Sequence, residues 1–161
     1  MNNIYLKNLE QQLKYFLTLF LITMSIGIFT GLYYVYITTS IKKEGTIERF
    51  NGSDIDNTEK FEVPKPLENM VLTTHNHILS FSMITLLIGI IFYFNSIISG
   101  KLKLFLLLEP YISTILTFGS LWGIRYLNES FFYIMMFSAV IMYMCWYIMI
   151  FVSLYELIRK K

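Results

Sequence analysis

The side chains best suited to chemistry in this sequence are His75 and His77, which lie one residue apart where a polar segment becomes an apolar one. Imidazole is costly in lipid, so a pair at a membrane boundary points to a ligand, a proton or a partner. Neutral imidazole is a good ligand for copper, zinc, nickel or haem iron. The alternative is an interfacial pair that bonds only water, a lipid headgroup or a loop carbonyl.

Helix geometry limits what this pair could bind. Thr73 or Thr74 can cap the helix that follows, which would place both histidines in its first turn and favour neutral rings there. Residues two apart in an ideal helix point roughly 200° away from each other, so they could share neither one ion nor one haem. If the backbone is still extended at His75, one metal could be shared. A haem would otherwise need its second ligand from a methionine or from another subunit.

Three residues could complete a binding site around the histidines. Met70 could add a soft sulfur ligand for a transition metal such as copper, or it could be flexible core filler. Arg125 and Glu129 are expected at the same depth as the histidines. Arg125 could then hold an anionic group such as a haem propionate, or it could extend its charge to the membrane surface beside a turn acid.

Glu109 is the acid placed deepest in an apolar stretch. An acid at that depth is a candidate for proton or quinone chemistry, with structural pairing to Lys101 or Lys103 as the alternative. The sequence contains no nucleotide-binding loop, nucleophile elbow or pair of intramembrane acids suited to proteolysis. We therefore expect no catalytic activity from the chain on its own.

Membrane-spanning helices must position these residues. Hydrophobic residues make up 55% of the 161, and charged residues only 15%, against roughly a quarter charged in soluble domains. Four apolar stretches account for the excess, each near the ~20 residues that cross a bilayer as a helix. We predict an all-α membrane protein in which residues 1–161 form one four-transmembrane-helix bundle. The predicted spans are about 13–37, 73–98, 104–127 and 131–158.

The long polar segment 38–72 is the predicted loop at the histidine end. Lysine and arginine are denser beside the two termini and the 99–103 turn than in this loop, so the positive-inside rule predicts cytoplasmic termini and a periplasmic loop. The expected location is therefore a bacterial inner membrane. Within the loop, alternation at Thr46–Phe50 and at 61–63, with the turn signal Asn51-Gly52, predicts a short hairpin. We expect the loop to be ordered and folded over the histidines.

The expected partners are the lipid bilayer and other membrane-protein subunits, or further copies of this chain. A net charge of +2 is too small to imply nucleic acid, and no cluster of Lys or Arg faces a soluble domain, so we expect no nucleic-acid partner. Small residues recur at Gly27 and Gly31 in the first span and at Gly119 and Gly123 in the third. Such stripes permit close helix contact, either within the bundle or between subunits.

Several groups of residues, spread over most of the chain, together resemble a known family. They are Gly45-x-x-Glu48-x-Phe50-x-Gly52, Thr74-His75-x-His77 with Leu79-Ser80, Glu109-Pro110, Thr117-Phe118-Gly119-Ser120 with Trp122, and Ser153-Leu154-Tyr155-Glu156. The chain is similar to an uncharacterised family of small four-helix bacterial inner-membrane proteins, some of whose members carry a misleading elongation-factor label. The resemblance implies the four-helix architecture and draws attention to the histidine motif, but it implies no activity.

The sequence thus favours a membrane accessory protein that binds haem b or a transition metal, copper among them, at the periplasmic face. His75, His77 and Arg125 are the predicted cofactor-binding residues, and Met70 is the third predicted metal ligand. The expected setting is respiratory electron transfer or metal handling. The alternative is a cofactor-free structural or interaction subunit of a larger membrane complex.

Overall fold

Four long helices and one short helix make up the fold of the computed structural model, which describes residues 5–53 and 62–159. A 3₁₀ turn (Leu6–Asn8) precedes α1 (Gln11–Thr39), α2 (Lys43–Asn51), α3 (Leu67–Tyr93), α4 (Gly100–Tyr126) and α5 (Phe131–Ile158). All but α2 are long and apolar enough to cross a membrane. The predicted four-helix membrane bundle is confirmed, and the bounds of α5 match the prediction.

The start of α3 differs from the prediction, and this changes the depth of the histidines. The helix begins at Leu67, directly after Pro66, rather than at Thr73. Proline is favoured where a helix begins because its fixed φ suits the first turn, and Glu68 adds a favourable negative charge there. The polar residues before Thr73 therefore belong to the helix, and the predicted threonine cap is wrong.

The turn between α3 and α4 also lies earlier than predicted, because α3 ends at Tyr93. The buried side chain of Asn95 accepts hydrogen bonds from the backbone of Ile97 and Ile98 and donates one to Phe92. Lys103 donates from Nζ to the carbonyls of Tyr93 and Asn95. The basic residues predicted to form the turn instead belong to the first turn of α4, where Lys103 caps the end of α3.

The predicted hairpin is wrong, since Thr46–Phe50 lies inside α2 and no strand forms in residues 5–53 and 62–159. Thr46 and Phe50 are both buried, and a spacing of four places them on one face of a helix as well as on one face of a strand. Phe61 lies outside the described residues. Ser53 and Glu62 exchange hydrogen bonds, so the two sides of the loop meet there.

Two apolar clusters form the core of the bundle. The larger one joins α1, α3, α4 and α5 around Trp146. The smaller one lies at the loop end, where Phe50 of α2 packs with Met70 and Phe118. Asn51 also donates from Nδ2 to the carbonyl of Ile124, 3.1 Å away. The loop helix therefore closes the end of the bundle near the histidines, as the sequence predicted.

The helices are joined by polar side-chain pairs as well as by apolar packing. Such bonds matter in lipid because no water competes for the donors and acceptors. Each pair links two different spanning helices. They are Trp122 Nε1 to Thr74 Oγ1 at 2.8 Å, Trp146 Nε1 to Thr85 Oγ1 at 3.0 Å, and the hydroxyls of Thr117 and Ser138 at 2.8 Å. The two indole bonds fix which face of α3 points into the bundle.

The small-residue stripes behave differently in α1 and α4. A Cβ on Gly27 or Gly31 would meet nothing within 4 Å. Both glycines instead line an open groove of about 190 Å³ between α1 and the aromatic side chains of α3 and α5. A Cβ on Gly123 would overlap the ring of Phe131. Only Gly123 therefore makes the close contact that the stripes predicted.

We expect Gly123→Ala to lower the free energy of unfolding by about 1–3 kcal/mol, because the new methyl group must displace the Phe131 ring at the α4–α5 turn. Gly119→Ala is the matched control, since its Cβ would meet nothing within 4 Å and alanine favours helix. Unfolding in detergent micelles, followed by tryptophan fluorescence, measures both. Equal stability of the two variants would contradict the close contact.

Candidate functional site

The two histidines lie well inside α3 and point in different directions. His77 is half-buried and faces the bundle, with its ring centroid 5.0 Å from that of Phe118 and 5.6 Å from that of Phe81. His75 is exposed on the opposite side of the helix. This divergence is the one that helical geometry predicts. The single chain therefore does not bring the two rings to one ion.

His77 is held by its own helix. Its Nδ1 lies 2.7 Å from the carbonyl oxygen of Thr73. A carbonyl can only accept, so Nδ1 carries a proton and donates this bond. Metal-binding histidines are often oriented by such a bond, but a buried histidine with no metal can satisfy itself in the same way. The aromatic rings around His77 leave it as part of the packed interior.

Met70 does not join the histidines in a metal site within this chain. It is on the same face of α3 as His77, but a separation of seven residues is roughly 10 Å along the axis. Its side chain is buried in the apolar cluster with Phe50 and Phe118. Among the residues that the structure describes, no group of three His, Cys, Asp or Glu could hold a metal ion.

Arg125 and Glu129 contact groups other than the histidines. Arg125 donates from Nε to the backbone carbonyl of Lys65, 3.3 Å away, just before α3 begins. Glu129 forms an ion pair with Lys43 of α2, at 3.3 Å. The predicted outer cluster is therefore not assembled. These two side chains instead tie the loop to the end of α4.

Lys65 lies where the loop joins the bundle, outside the spanning segments. Its ammonium group lies 4.5 Å from the centroid of the Phe50 ring. Burial lowers the pKa of Lys65, Arg49 lowers it further, and Glu62 partly opposes both. Below this lowered pKa, Lys65 is charged in the folded protein, and its burial lowers the free energy of unfolding. This loss of stability disappears as the pH rises from the lowered pKa towards the ordinary value of 10.5.

Glu109 has a polar environment of its own between α4 and α5. The Ser113 hydroxyl donates to Oε1 of the carboxyl group, and the Cys145 thiol lies beside it. Oε2 is buried and has no partner in the described part of the chain. The alternative of pairing with Lys101 or Lys103 is wrong, because Glu109 forms no ion pair within the described residues and Lys103 donates to carbonyls at the end of α3 instead. A role in proton or quinone chemistry stays a prediction.

Glu156 is an important residue whose role the sequence did not reveal. It is 2% exposed and lies in the last turn of α5, at the end of the bundle near the termini. Its Oε2 accepts from the backbone N–H of Ser96 at 2.7 Å, and Oε1 accepts from that of Lys7 at 3.4 Å. One signal was available, because an acid is unfavourable at the C-terminal end of a helix unless something stabilises it.

The exposed face of α3 carries polar side chains that no described residue satisfies. His75, Asn76 and Ser80 are exposed and form no hydrogen bond in residues 5–53 and 62–159. We call these three residues the polar stripe. Thr23 and Thr30, exposed on α1, instead donate to carbonyls of their own helix at 2.9 Å.

The polar stripe is enclosed by apolar surface rather than placed at the helix end. Val71 and Leu72 are more than half exposed on its loop side, and Leu79 and Met83 are more than half exposed along and beyond it. A shallow depression of about 440 Å³ lies beside His75 and Leu72 on this face. The stripe therefore belongs to the surface that the helix turns away from its own bundle.

Comparison with known proteins places the chain among membrane proteins. A family described as a transmembrane helical domain matches residues 40–161, which include α2 to α5 and leave out α1. No curated protein and no solved structure matches the chain significantly. The chain is a multi-pass membrane protein, and because the match covers well over half of its length, it belongs to this family of transmembrane helical domains.

Proposed function

We propose that this chain is an interaction subunit of a membrane assembly, and that it docks another membrane protein through the exposed face of α3. The observation that carries the proposal is the polar stripe, whose three side chains have no hydrogen-bond partner among the described residues. In lipid an unsatisfied polar group is unfavourable. A transmembrane partner would satisfy all three.

The structure of the rest of the bundle favours a role as a scaffold over a role as a transport path. Its two indole groups bond threonine hydroxyls of α3, Trp122 with Thr74 and Trp146 with Thr85. Glu109 Oε2 and Ser153 Oγ are exceptions in the interior, since neither has a partner among the described residues. The helix α2 covers one end of the bundle, and the contacts of Glu156 hold the other. The outer face of α3 differs from this interior because it brings together three exposed polar side chains with no hydrogen bond among the described residues.

The proposed setting is a bacterial inner membrane, with cytoplasmic termini and the loop in the periplasm. Support comes from Lys7, Lys14, Lys101 and Lys103, which all lie at the end of the bundle that carries the termini. The positive-inside rule assigns that end to the cytoplasm. The polar stripe would then lie in the periplasmic half of the membrane.

A second candidate function is the binding of haem b or of a transition metal such as copper. It is favoured by the exposed and unbonded imidazole of His75. This ring could be one axial ligand if a partner subunit supplied the other. His77 is less accessible because Phe81 and Phe118 enclose it. Arg125 uses only Nε on the carbonyl of Lys65, and a guanidinium has further N–H donors, so the propionate contact stays a prediction.

A photo-crosslinking experiment in native membranes tests the docking proposal. A photoreactive residue at Leu79, next to Ser80 of the polar stripe, is expected to form a crosslink to protein. The matched control is Ile115 on α4, which is also more than half exposed and lies beside the exposed apolar side chains of Ile112 and Leu116. We expect it to react with lipid only. Crosslinks from neither position, or equally from both, would contradict docking through α3.

An absorption spectrum and elemental analysis of the purified protein separate the two candidate functions. A Soret band or stoichiometric metal that His75→Ala removes would favour the cofactor. Loss of the Leu79 crosslink in a variant with His75→Phe, Asn76→Leu and Ser80→Ala, in protein free of haem and metal, would favour the interaction subunit.

A further inference from the structure

We infer that the partner on the exposed face of α3 is a second copy of this chain, packed against it as a parallel helix pair. The inference rests on the proposed function and names the partner. It starts from the spacing of the exposed residues of α3. Eight exposed residues of α3 follow one another at alternating intervals of three and four residues. They are Asn69, Leu72, Asn76, Leu79, Met83, Leu86, Ile90 and Tyr93. We call this set the α3 seam.

The α3 seam has the spacing of a coiled coil. Intervals of three and four repeat every seven residues, and a parallel pair of helices packs along such a seam. In this register Asn76 takes the first core position of its heptad and Leu79 the second. Asparagine at that core position is the residue that fixes register and favours two strands in coiled coils. Leu72 and Leu79 fill the neighbouring core positions on the two sides of Asn76, and Asn69 takes the first core position of the preceding heptad.

The other members of the polar stripe take the flanking positions of the same register. His75 is just before the core position of Asn76, and Ser80 is just after that of Leu79. In a parallel pair these flanking positions lie beside each other across the interface. The imidazole of one copy would therefore meet the hydroxyl of Ser80 in the other, and the twofold axis would repeat this contact.

Hydrogen-bonding chemistry favours a second copy over an unrelated partner. The side chains of asparagine, neutral histidine and serine can each both donate and accept. A surface of this kind is complementary to itself under a twofold axis. Two copies in one membrane share their orientation, so the axis is perpendicular to the membrane and the two α3 helices run parallel. Asn76 then meets its counterpart directly.

The α4 helix shows that spacing alone does not select the interface. Its exposed residues include Phe105, Leu108, Ile112, Ile115 and Gly119, which have the same alternating intervals. None of these side chains carries a polar group, so lipid satisfies this face as well as a helix would. The α3 seam differs by the polar stripe, and α4 therefore serves as the internal control.

Disulfide crosslinking of purified protein in liposomes tests the inference. In a Cys145→Ser background, Leu72→Cys lies on the α3 seam, and Val71→Cys is its neighbour off the seam with similar exposure. We expect mild oxidation to give a covalent dimer from Leu72→Cys and little from Val71→Cys or Ile115→Cys. Because no other protein is present, a dimer can arise only from two copies.

The role of Asn76 is tested by energy transfer between labelled copies as the lipid-to-protein ratio rises. Asn76→Leu is expected to weaken association about threefold or more, the range found for hydrogen bonds between membrane helices. Asn76→Gln keeps the amide group and should retain more of the association. Tryptophan fluorescence reports whether each variant keeps its fold. If Asn76→Leu associated as strongly as the unchanged protein, the role assigned to the amide group would be overturned.

Two outcomes separate this inference from the function on which it rests. If Leu72→Cys gives no dimer and energy transfer shows monomers, while Leu79 still crosslinks to another protein in native membranes, the second copy is excluded and docking through α3 stands. If Leu79 also fails to crosslink in native membranes, both proposals are overturned. A dimer from Ile115→Cys rather than Leu72→Cys would move the interface to α4 and overturn the inference.

Discussion

Glu156→Leu is expected to lower the free energy of unfolding by about 3 kcal/mol. The substitution removes the acceptor of two backbone N–H groups, those of Ser96 and Lys7. A buried donor left without an acceptor costs about 1–3 kcal/mol. Ser96 is half-buried and Lys7 is exposed, so the shorter bond, at 2.7 Å to Ser96, contributes most. Unfolding in detergent micelles by a denaturing detergent, followed by tryptophan fluorescence, gives the difference.

Two variants show whether the effect comes from hydrogen bonding or from charge. Glu156→Gln keeps one carbonyl oxygen that can accept from Ser96, so we expect it to lose about half as much stability as the leucine variant. Glu129→Leu removes an acid that is about half exposed and pairs with Lys43. Exposed ion pairs contribute about 0–1 kcal/mol. Equal losses from Glu156→Leu and Glu129→Leu would contradict the buried role of Glu156.

Glu156 joins three parts of the chain that are distant in sequence. It lies on α5 and holds the turn between α3 and α4 through Ser96 and the N-terminal segment through Lys7. Leu6 adds a backbone bond to Phe94 at 3.0 Å and is itself buried. We therefore expect Glu156→Leu also to expose the bond after Lys7 to trypsin, whereas Glu129→Leu leaves it protected.

The number and type of the helices could be predicted because the bilayer sets the length of a spanning helix. The bounds of α5 were predicted correctly because Asn128, Glu129 and Ser130 interrupt the apolar pattern on one side and basic residues do so on the other. The start of α3 was missed because Glu68 and Asn69 are polar, and polarity alone does not distinguish a loop from the water-exposed first turns of a helix.

The short helix α2 was missed for a different physical reason. Thr46 and Phe50 are both buried, and a spacing of four satisfies a strand as well as a helix. Gly45 permits the position that α2 takes after α1, since its backbone packs against the carbonyl of Thr39 where a Cβ would clash. That contact depends on how the chain turns after α1, and nothing in the local sequence specifies it.

Only the part of the candidate site that follows from helix geometry could be predicted. The divergence of His75 and His77 follows from the rotation of about 100° per residue. Which ring faces inward depends on neighbouring helices, and here Phe118 of α4 encloses His77. The partner of Arg125 is the carbonyl of Lys65, distant in the chain. A backbone carbonyl has no sequence signal, so the contact could not be predicted.

The orientation of α3 links the stability of the bundle to its proposed interface. Thr74 and Thr85 on the inner face of α3 are held by the indoles of Trp122 and Trp146. These bonds set the rotation of the helix about its axis, and the α3 seam points outward as a result. Residues that stabilise the interior thereby determine which side chains α3 presents to a second copy.

Trp146→Ala is expected to cost about 3 kcal/mol, at the lower end of the range for tryptophan in a protein core. Trp146 is 1% exposed, and its ring lies 5.1 Å from Phe81 and 5.3 Å from Tyr143, centroid to centroid. Alanine would leave a cavity beside the groove of about 190 Å³ between α1 and these rings. Lipid chains can enter from that side, which is why we expect the lower value.

Trp146→Phe separates the packing of the ring from the hydrogen bond. Phenylalanine keeps an aromatic ring beside Phe81 but loses the bond to Thr85, and the threonine hydroxyl can turn to a carbonyl of its own helix. We therefore expect a loss of about 1 kcal/mol, close to the average for one hydrogen bond. Circular dichroism against denaturing detergent measures both variants without relying on tryptophan. If the phenylalanine variant were as unstable as the alanine variant, the hydrogen bond would outweigh the packing of the ring.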